Sequence, residues 1–512
     1  MLKLPIGIQS FVNIRTEGYY YVDKTPFVHQ LVETGKYYFL SRPRRFGKSL
    51  FLDTLRQAFL GNKELFDGLY LEKNWDWSVK YPVIYISLGA GVIKSLEELR
   101  ETFLSLIRRH AAQYQIKITE KLYNKQFEEL IQKLGEKESQ KVVILIDEYD
   151  KPILDNIERL DAAFEIREAL KNFYSVIKDA DPYLKFCFIT GVSKFSKVSI
   201  FSGLNNLKDI TLDPAYATIC GYTQEEFETV FADRLKDLDL EEIKLWYNGY
   251  NFLGEPVYNP FDILLYLDLC DFRPFWFETG TPTFLIKLLL EKNFFLPELE
   301  GLEASEALLS SFDLDFIEPE TLLFQTGYLT IKKRLRTGPR TRYLLAFPNL
   351  EVRMSFTDYL LNYITKDLRG KERALDTVYD ALLEGQPERL EEVFRSVFAG
   401  IPYDWYRKSE IQKYEGFYAS IFYAYFTASG LEVRVEETTN RGRLDMAVLA
   451  EGRCYLFEFK VVENEPQGRA LEQLKEKAYH EKYQTICQEI YLIGVEFSKS
   501  ERNLVRFEVE RV

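Results

Sequence analysis

The chain is poor in the side chains that most often build metal and redox centres: its 512 residues include three histidines (His29, His110 and His480), three methionines and five cysteines. Three scattered histidines supply neither a zinc cluster nor the base of a histidine-centred triad, so carboxylates and lysines must carry any chemistry. Cys187, Cys220, Cys270, Cys454 and Cys487 are far apart, without paired zinc spacing or a disulfide framework, and read as buried thiols. No uncharged apolar run reaches the roughly 18 residues of a membrane span, and the start lacks a signal-peptide core, so a cytoplasmic protein is expected. Repeats, low-complexity tracts and Pro/Gly-rich linkers are missing too, which points to packed modules. Positive charge is short: 66 Lys and Arg against 79 Asp and Glu leave a net −13, which excludes a whole-surface nucleic-acid binder and confines any such site to a local patch.

What is present is ample for several folded domains, since the length exceeds that of a usual single core. Apolar runs in KYYFLSRP, YPVIYISL, KVVILIDEYD and LKFCFITGVS alternate with amphipathic helical stretches, the pattern of buried strands in a parallel α/β sheet. In SLEELRETFLSLIRRHAAQY, Leu96, Leu99, Phe103 and Leu106 recur at helical spacing and are read as packing. The expected fold class is α/β multidomain: a doubly wound domain over 1–265, a mainly helical region over 266–365 interrupted by a hairpin with a Gly-Pro turn, a helical connector over 366–404, and a second α/β unit over 405–512.

Two motifs in the first domain point to nucleotide chemistry. RPRRFGKS follows a strand-like run and opens a helix-like one, the context of a phosphate-binding loop. Gly47 lets the backbone approach phosphate, helix-start amides bind its oxygens, Lys48 reaches the outer phosphates and Ser49 ligates magnesium. Arg45, Phe46, Gly47, Lys48, Ser49 and Leu50 are therefore the expected ATP-binding residues, although Arg42 stands where the general motif has its first glycine. KVVILIDEYD ends a buried strand with two acids: Asp147 for magnesium and Glu148 to orient or deprotonate the attacking water. Thr190 and Lys194, at the end of another strand, are candidate γ-phosphate sensors, with helix capping as the alternative for Thr190.

Near the C-terminus, Asp445 lies in one strand, and Glu458 and Lys460 lie two apart in the next, on one face. The two acids can share a magnesium ion that activates water for phosphodiester hydrolysis, with Lys460 supplying positive charge. Glu415 heads an aromatic helix before these strands, and Gln473 and Tyr479 follow on ALEQLKEKAY, placed to face the same edge. The cations Lys332, Lys333, Arg334, Arg336, Arg340 and Arg342 form the strongest basic cluster. They are read either as a nucleic-acid contact or as solvated edge-strand charge.

YYVDKTPFV, FLSRPRRFGKSL, VVILIDEYDKP, WYNGYNF, VYNPFDI, GRLDMAV and YLFEFK together resemble a prokaryotic family in which an AAA-like P-loop ATPase domain is fused to a C-terminal PD-(D/E)XK nuclease-like domain. The resemblance covers nearly the whole chain, and RPRRFGKS looks like that family's own form of the loop. It implies a winged-helix-like middle region, and carries the metal-binding acids onto Asp445 and Glu458, the catalytic lysine onto Lys460 and the helical acid onto Glu415. Gln473 and Tyr479 resemble a further helix motif, with a wider separation than usual. The expectation is an ATP- and Mg²⁺-dependent enzyme acting on nucleic acid, DNA before RNA, with no membrane and with self-assembly as one source of a missing catalytic arginine. The competing reading is a regulatory ATPase whose C-terminal domain binds nucleic acid or protein without cleaving it.

Overall fold

The computed structural model describes residues 2–194, 206–276, 283–292, 295–309, 312–337, 340–401, 415–439, 442–463 and 465–512. The chain forms two compact units, each built from two stretches: Met1–Arg273 with Glu303–Asn349, and Pro274–Leu302 with Leu350–Val512. The region expected at 266–365 is thus divided, its hairpin going to the first unit and helices Thr283–Glu291 and Leu350–Thr365 to the second. The expected Gly338-Pro339 turn and residues 405–414 lie outside the described residues.

In the first unit, β1 (Tyr37–Ser41), β2 (Val83–Ser87), β3 (Val142–Asp147), β4 (Leu184–Gly191) and β5 (Lys208–Asp209) form a parallel sheet in the order β2-β3-β4-β1-β5. All six residues of β3 and all five of β1 are buried, which is why these strands read as unbroken apolar runs. Helix Leu96–Gln113 starts at Ser95, whose side chain accepts from the Glu98 amide at 3.2 Å. Its Phe103 stacks at 3.8 Å on Phe173 of helix Leu160–Asp179, which also stacks on Phe127 of helix Tyr123–Glu138 at 4.5 Å. Leu99 and Phe103 are buried as their spacing predicts, while Ile107 rather than Leu106 completes the face.

Register brings the carboxyl ends of the strands level: Ser41 pairs with Gly191 and Ser87 with Asp147. That edge is where an open α/β sheet presents its ligand-binding groups. The unit also holds the small sheet β6 (Leu302–Ser305), β7 (Thr330–Thr337) and β8 (Arg340–Ala346), ordered β6-β8-β7, with a bulge between Ile331 and Lys333.

The second unit is built on β9 (Glu432–Thr439), β10 (Gly442–Ala450), β11 (Arg453–Val462), β12 (Glu489–Ser498) and β13 (Asn503–Arg511), ordered β13-β12-β11-β10-β9. Only β11 and β12 run parallel, so the chain must cross over between them, and helix Arg469–Lys477 lies on that crossover and packs on both strands. Helix Glu415–Ala428, buried from Tyr418 to Thr427, packs beside helix Leu350–Thr365. The observed α/β multidomain class is the expected one.

The cysteines depart from expectation. Cys454 and Cys487 form a disulfide, Cα to Cα 5.9 Å, because the parallel pairing of β11 with β12 sets Cys454 opposite Ile490, three residues beyond Cys487. Cys187 and Cys220 are buried thiols, and Cys270 is exposed. Among the described residues, no helix is long and apolar enough to cross a membrane. The disulfide closes a separation of 33 residues. Reduction should therefore lower the unfolding free energy of the second unit by roughly 3–4 kcal/mol in the chain-entropy account, read from denaturant curves with and without reductant. Coincident curves would show that the bond carries no stability.

Candidate functional site

Between β1 and helix Lys48–Phe59, the loop rims a cavity of about 750 Å³ lined by Arg44 through Leu50 and, from the end of β3, by Glu148. Gly47, at φ +89°, occupies the N-cap of the helix in a left-handed conformation that a β-carbon would strain. Lys48 is buried and donates to the carbonyls of Arg42 at 2.9 Å and Pro43 at 2.7 Å. Burial pulls its ammonium below the usual lysine value, against the opposing field of Asp147.

Arg42 explains its own departure from the general motif. Its guanidinium is buried away from the large cavity, donating to the carbonyls of Ser41 (2.9 Å), Thr211 (2.8 Å), Tyr216 (3.2 Å) and Ala217 (3.4 Å), and it lies 3.8 Å over the Phe252 ring. Burial pushes it down to about 10. Phe46 sits edge-on to Tyr250 at 4.8 Å, and the Arg45 guanidinium lies over Phe261 at 3.7 Å. The segments WYNGYNF and VYNPFDI therefore seat the loop.

Asp147 is held from both flanking strands: Thr190 on β4 donates to Oδ1 at 2.8 Å and Tyr85 on β2 to Oδ2 at 3.3 Å. Glu148 follows in left-handed backbone, φ +53°, a conformation that costs a non-glycine residue roughly 1 kcal/mol or more. Burial, then the Asp147 charge, raises the Glu148 carboxyl above its ordinary value. Thr190 is buried against Asp147 and does not line the cavity. Lys194 does not line it either: its ammonium pairs with Asp209 beside a second cavity of about 150 Å³, and its amide donates to Gln325 at 3.0 Å. Two acidic roles escaped the sequence reading. Asp150 is buried and accepts from the amides of Val192 (3.1 Å) and Ser193 (2.6 Å) and from the Ser193 hydroxyl (2.6 Å). Glu226 pairs at 2.7 Å with buried Lys24 on the cavity wall. The third acid in DEYD and the lysine in VDKTPF were visible signals for these positions, but their partners lie far along the chain.

In the second unit, antiparallel pairing of β10 with β11 sets Asp445 beside the Glu458–Lys460 segment, where the Phe459 amide donates to Asp445 Oδ2 at 2.9 Å. Lys460 Nζ donates to Glu458 Oε1 at 2.9 Å and lies 3.5 Å from Glu415 Oε1, while Gln473 donates to Glu458 Oε1. Gln473 is carried by helix Arg469–Lys477, whose entry is fixed by Glu496 accepting from the amides of Gln467 (2.6 Å) and Arg469 (2.7 Å). A methyl group at Gly494 would collide with the backbone of Leu471, so the glycine lets the helix settle on β12. Tyr479 falls beyond the helix end, in the turn after left-handed Ala478, and donates to the Arg443 carbonyl at 3.0 Å. The structure thus gathers Glu415, Asp445, Glu458, Lys460 and Gln473, and leaves Tyr479 beside them.

The electrostatics of this cluster suit a cation. Burial, then the Asp445 charge, pushes Glu458 up to about 7. Burial likewise raises Asp445 and Glu415 above their ordinary values. Burial alone would lower Lys460, but Glu458 and the other two acids leave it raised. Among the described residues no three His, Cys, Asp or Glu side chains stand ready as a metal cage. Glu458 Oε2, however, is buried without a hydrogen-bond partner among them, so an acceptor beside a second carboxylate awaits positive charge. Asp445 and Glu458 fit a magnesium ion on that ground.

The basic hairpin divides. Register places Lys333, Arg340 and Arg342 on one face of β7–β8, and Arg334 and Arg336 on the other. Arg342 pairs with Glu303 at 2.9 Å, and the Lys332 ammonium, at the bulge, donates to the Pro348 carbonyl at 3.0 Å. The cluster is not one continuous patch.

A parallel sheet with a glycine-lysine-serine loop opening a helix, followed in the chain by a mixed sheet with D…E-x-K on neighbouring strands, defines a P-loop ATPase-like protein with a nuclease-like domain. A family model described as "Predicted AAA-ATPase" matches residues 5–201, and one described as "PD-(D/E)XK nuclease superfamily" matches 413–507. A protein of Azotobacter chroococcum mcd 1, described as an "uncharacterized protein in vnfD 5'region", is 52% identical over 509 residues, covering 99% of each chain. The chain belongs to the family that joins an AAA-ATPase-like domain to a C-terminal PD-(D/E)XK nuclease-superfamily domain.

A raised carboxyl binds its proton more tightly in the native state, so the stability it contributes is full below the ordinary value of 4.5 and lost as pH rises through about 7. In chelator-containing buffer, the unfolding free energy of the second unit should fall more steeply between those values in wild type than in Glu458→Gln. Parallel profiles would mean that Glu458 titrates normally.

Proposed function

We propose that the first unit binds and hydrolyses ATP, and that the second is a Mg²⁺-dependent phosphodiesterase acting on nucleic acid, DNA in preference to RNA. In this reading residues 1–265 are the ATPase domain and 405–512 the nuclease-like domain of a cytoplasmic protein, the hairpin within 266–365 is a winged-helix-like addition to the first unit, and the connector 366–404 belongs to the second. The observation that carries the nuclease reading is the gathering of Glu415, Asp445, Lys460 and Gln473 about Glu458, one of whose oxygens has no hydrogen-bond partner among the described residues.

At the first site, Lys48 exchanges its loop carbonyls for phosphate oxygens, the helix-start amides receive the same anion, and Ser49 with Asp147 would hold magnesium. Glu148, aimed into the cavity by its left-handed backbone, takes the proton of the attacking water. At the second site Asp445 and Glu458 would hold magnesium, which when bound lowers the pKa of water and offsets charge on the phosphodiester. Lys460 adds a donor toward the scissile phosphate, Gln473 fixes the Glu458 rotamer, and Glu415 keeps Lys460 charged and in place. The hairpin cations Lys332, Lys333, Arg334 and Arg336 contribute backbone contacts to nucleic acid. One observation favours the second reading, a regulatory ATPase without cleavage: Glu458 already has a cation of its own in Lys460, paired with it at 2.9 Å.

Lys48→Ala and Ser49→Ala should weaken ATP binding, whereas Glu148→Gln should bind ATP normally and arrest turnover, measured by equilibrium nucleotide binding and phosphate release. Unaltered turnover in Glu148→Gln would remove its role as base. Labelled DNA and RNA, single- and double-stranded, should be cut by wild type with Mg²⁺ or Mn²⁺, and by neither Asp445→Ala nor Lys460→Ala. Absence of cleavage by wild type on every substrate, alongside ATP hydrolysis, selects the regulatory reading.

A further inference from the structure

The loop carries two consecutive arginines, and the structure uses them differently. The guanidinium of Arg45, in left-handed backbone at φ +64°, lies face-on over Phe261 at 3.7 Å. Arg44 is exposed, lines the same cavity as Lys48, Ser49 and Glu148, and makes no hydrogen bond or ion pair with any described residue. Arg42, two residues earlier, spends its donors on four carbonyls. Of the three, only Arg44 turns to a ligand without giving up a hydrogen bond, ion pair or ring contact with a described residue. An unpartnered guanidinium beside Lys48 adds to the positive charge that a phosphate chain entering the cavity would meet.

We propose that Arg44 is a catalytic residue that stabilises the transition state of ATP hydrolysis from within the same chain, so that no arginine from a neighbouring copy is required. This rests on the nucleotide reading of the loop. In the step, the oxygen of a water molecule bonds to the γ-phosphorus while the bond from that phosphorus to the β–γ bridging oxygen breaks. The electron pair of the broken bond stays with the ADP oxygen, the water's proton passes to the Glu148 carboxylate, and inorganic phosphate is formed. Charge grows on the bridging oxygen and spreads over the three oxygens of the transferred group. A planar guanidinium fork spans two such oxygens, which a lysine point charge does not. Arg44 and Glu148 reach the same cavity from different elements, the loop and the end of β3.

Wild type, Arg44→Ala and Arg44→Lys are compared for ATP and ADP affinity with fluorescent nucleotide analogues, for ADP affinity in aluminium fluoride, and for turnover across a wide dilution series. Arg44→Ala is also mixed with Glu148→Gln. Arg44→Ala should retain ATP affinity, lose turnover by roughly 10³-fold and lose the aluminium fluoride enhancement of ADP binding, with Arg44→Lys recovering only part of either. Wild-type turnover per chain should be independent of dilution, and mixing the two variants should restore nothing. An Arg44→Ala chain that turns over normally and still traps ADP with aluminium fluoride overturns the proposal, as does recovery on mixing, which assigns the charge to a neighbouring copy. Failure of wild type to bind any nucleotide is the separate result that removes the loop reading itself.

Discussion

Everything distinctive about this chain follows from one electrostatic constraint: carboxylates placed at the ends or across the faces of strands that are themselves buried. Such groups lose hydration and must be satisfied by fixed donors, by a paired cation or by a ligand. Each acid resolves the constraint differently. Asp147 takes hydroxyls from Thr190 and Tyr85, and Asp150 takes two amides and a hydroxyl. Glu458 takes a lysine and a side-chain amide on one oxygen and, among the described residues, no donor on the other. Asp150, with its partners complete, ties the end of β4 to the segment after β3, whereas Glu458 keeps one oxygen without a hydrogen-bond partner among the described residues.

The same constraint explains what was legible in the sequence. The apolar runs that became β1 to β4 could be read because parallel strands covered on both faces tolerate few polar residues, and the acids closing KVVILIDEYD stood out against that background. The alternation in YLFEFK put Glu458 and Lys460 on one face, and the structure has them paired. Contacts that depend on distant chain were not legible. Nothing near Asp147 announces a tyrosine hydroxyl from β2, and nothing in RPRRFGKS says that its first arginine binds carbonyls from Ser41 to Ala217. Lys194 offered the right charge beside the right strand, yet it pairs with Asp209 and does not line the phosphate-loop cavity. Cys454 and Cys487 meet only because β11 and β12 run parallel. The interleaving of the two units likewise has no local mark in the residues around 274, 303 and 350.

Second-layer geometry is as specific as the acids themselves. Tyr250, Phe252 and Phe261 hold Phe46, Arg42 and Arg45, so the phosphate loop is braced by aromatic faces drawn from motifs far along the chain. In the second unit, Glu496 and Gly494 fix the helix that delivers Gln473. Both devices keep a polar group within reach of a charge whose cost the sheet has already imposed, and both explain why a short motif alone underdescribes its site.

In the proposed nuclease site, the incomplete carboxylate of Glu458 receives a divalent cation shared with Asp445. Mn²⁺ titration of the full chain, followed by electron paramagnetic resonance in the absence of nucleotide, tests it most directly with wild type beside Asp445→Asn. A bound Mn²⁺ is expected in wild type and should disappear in the variant while its circular dichroism is unchanged. Equal Mn²⁺ binding by the two would place the ion away from Asp445, and none by either would leave Glu458 to Lys460 and Gln473; each result rules out the shared cation.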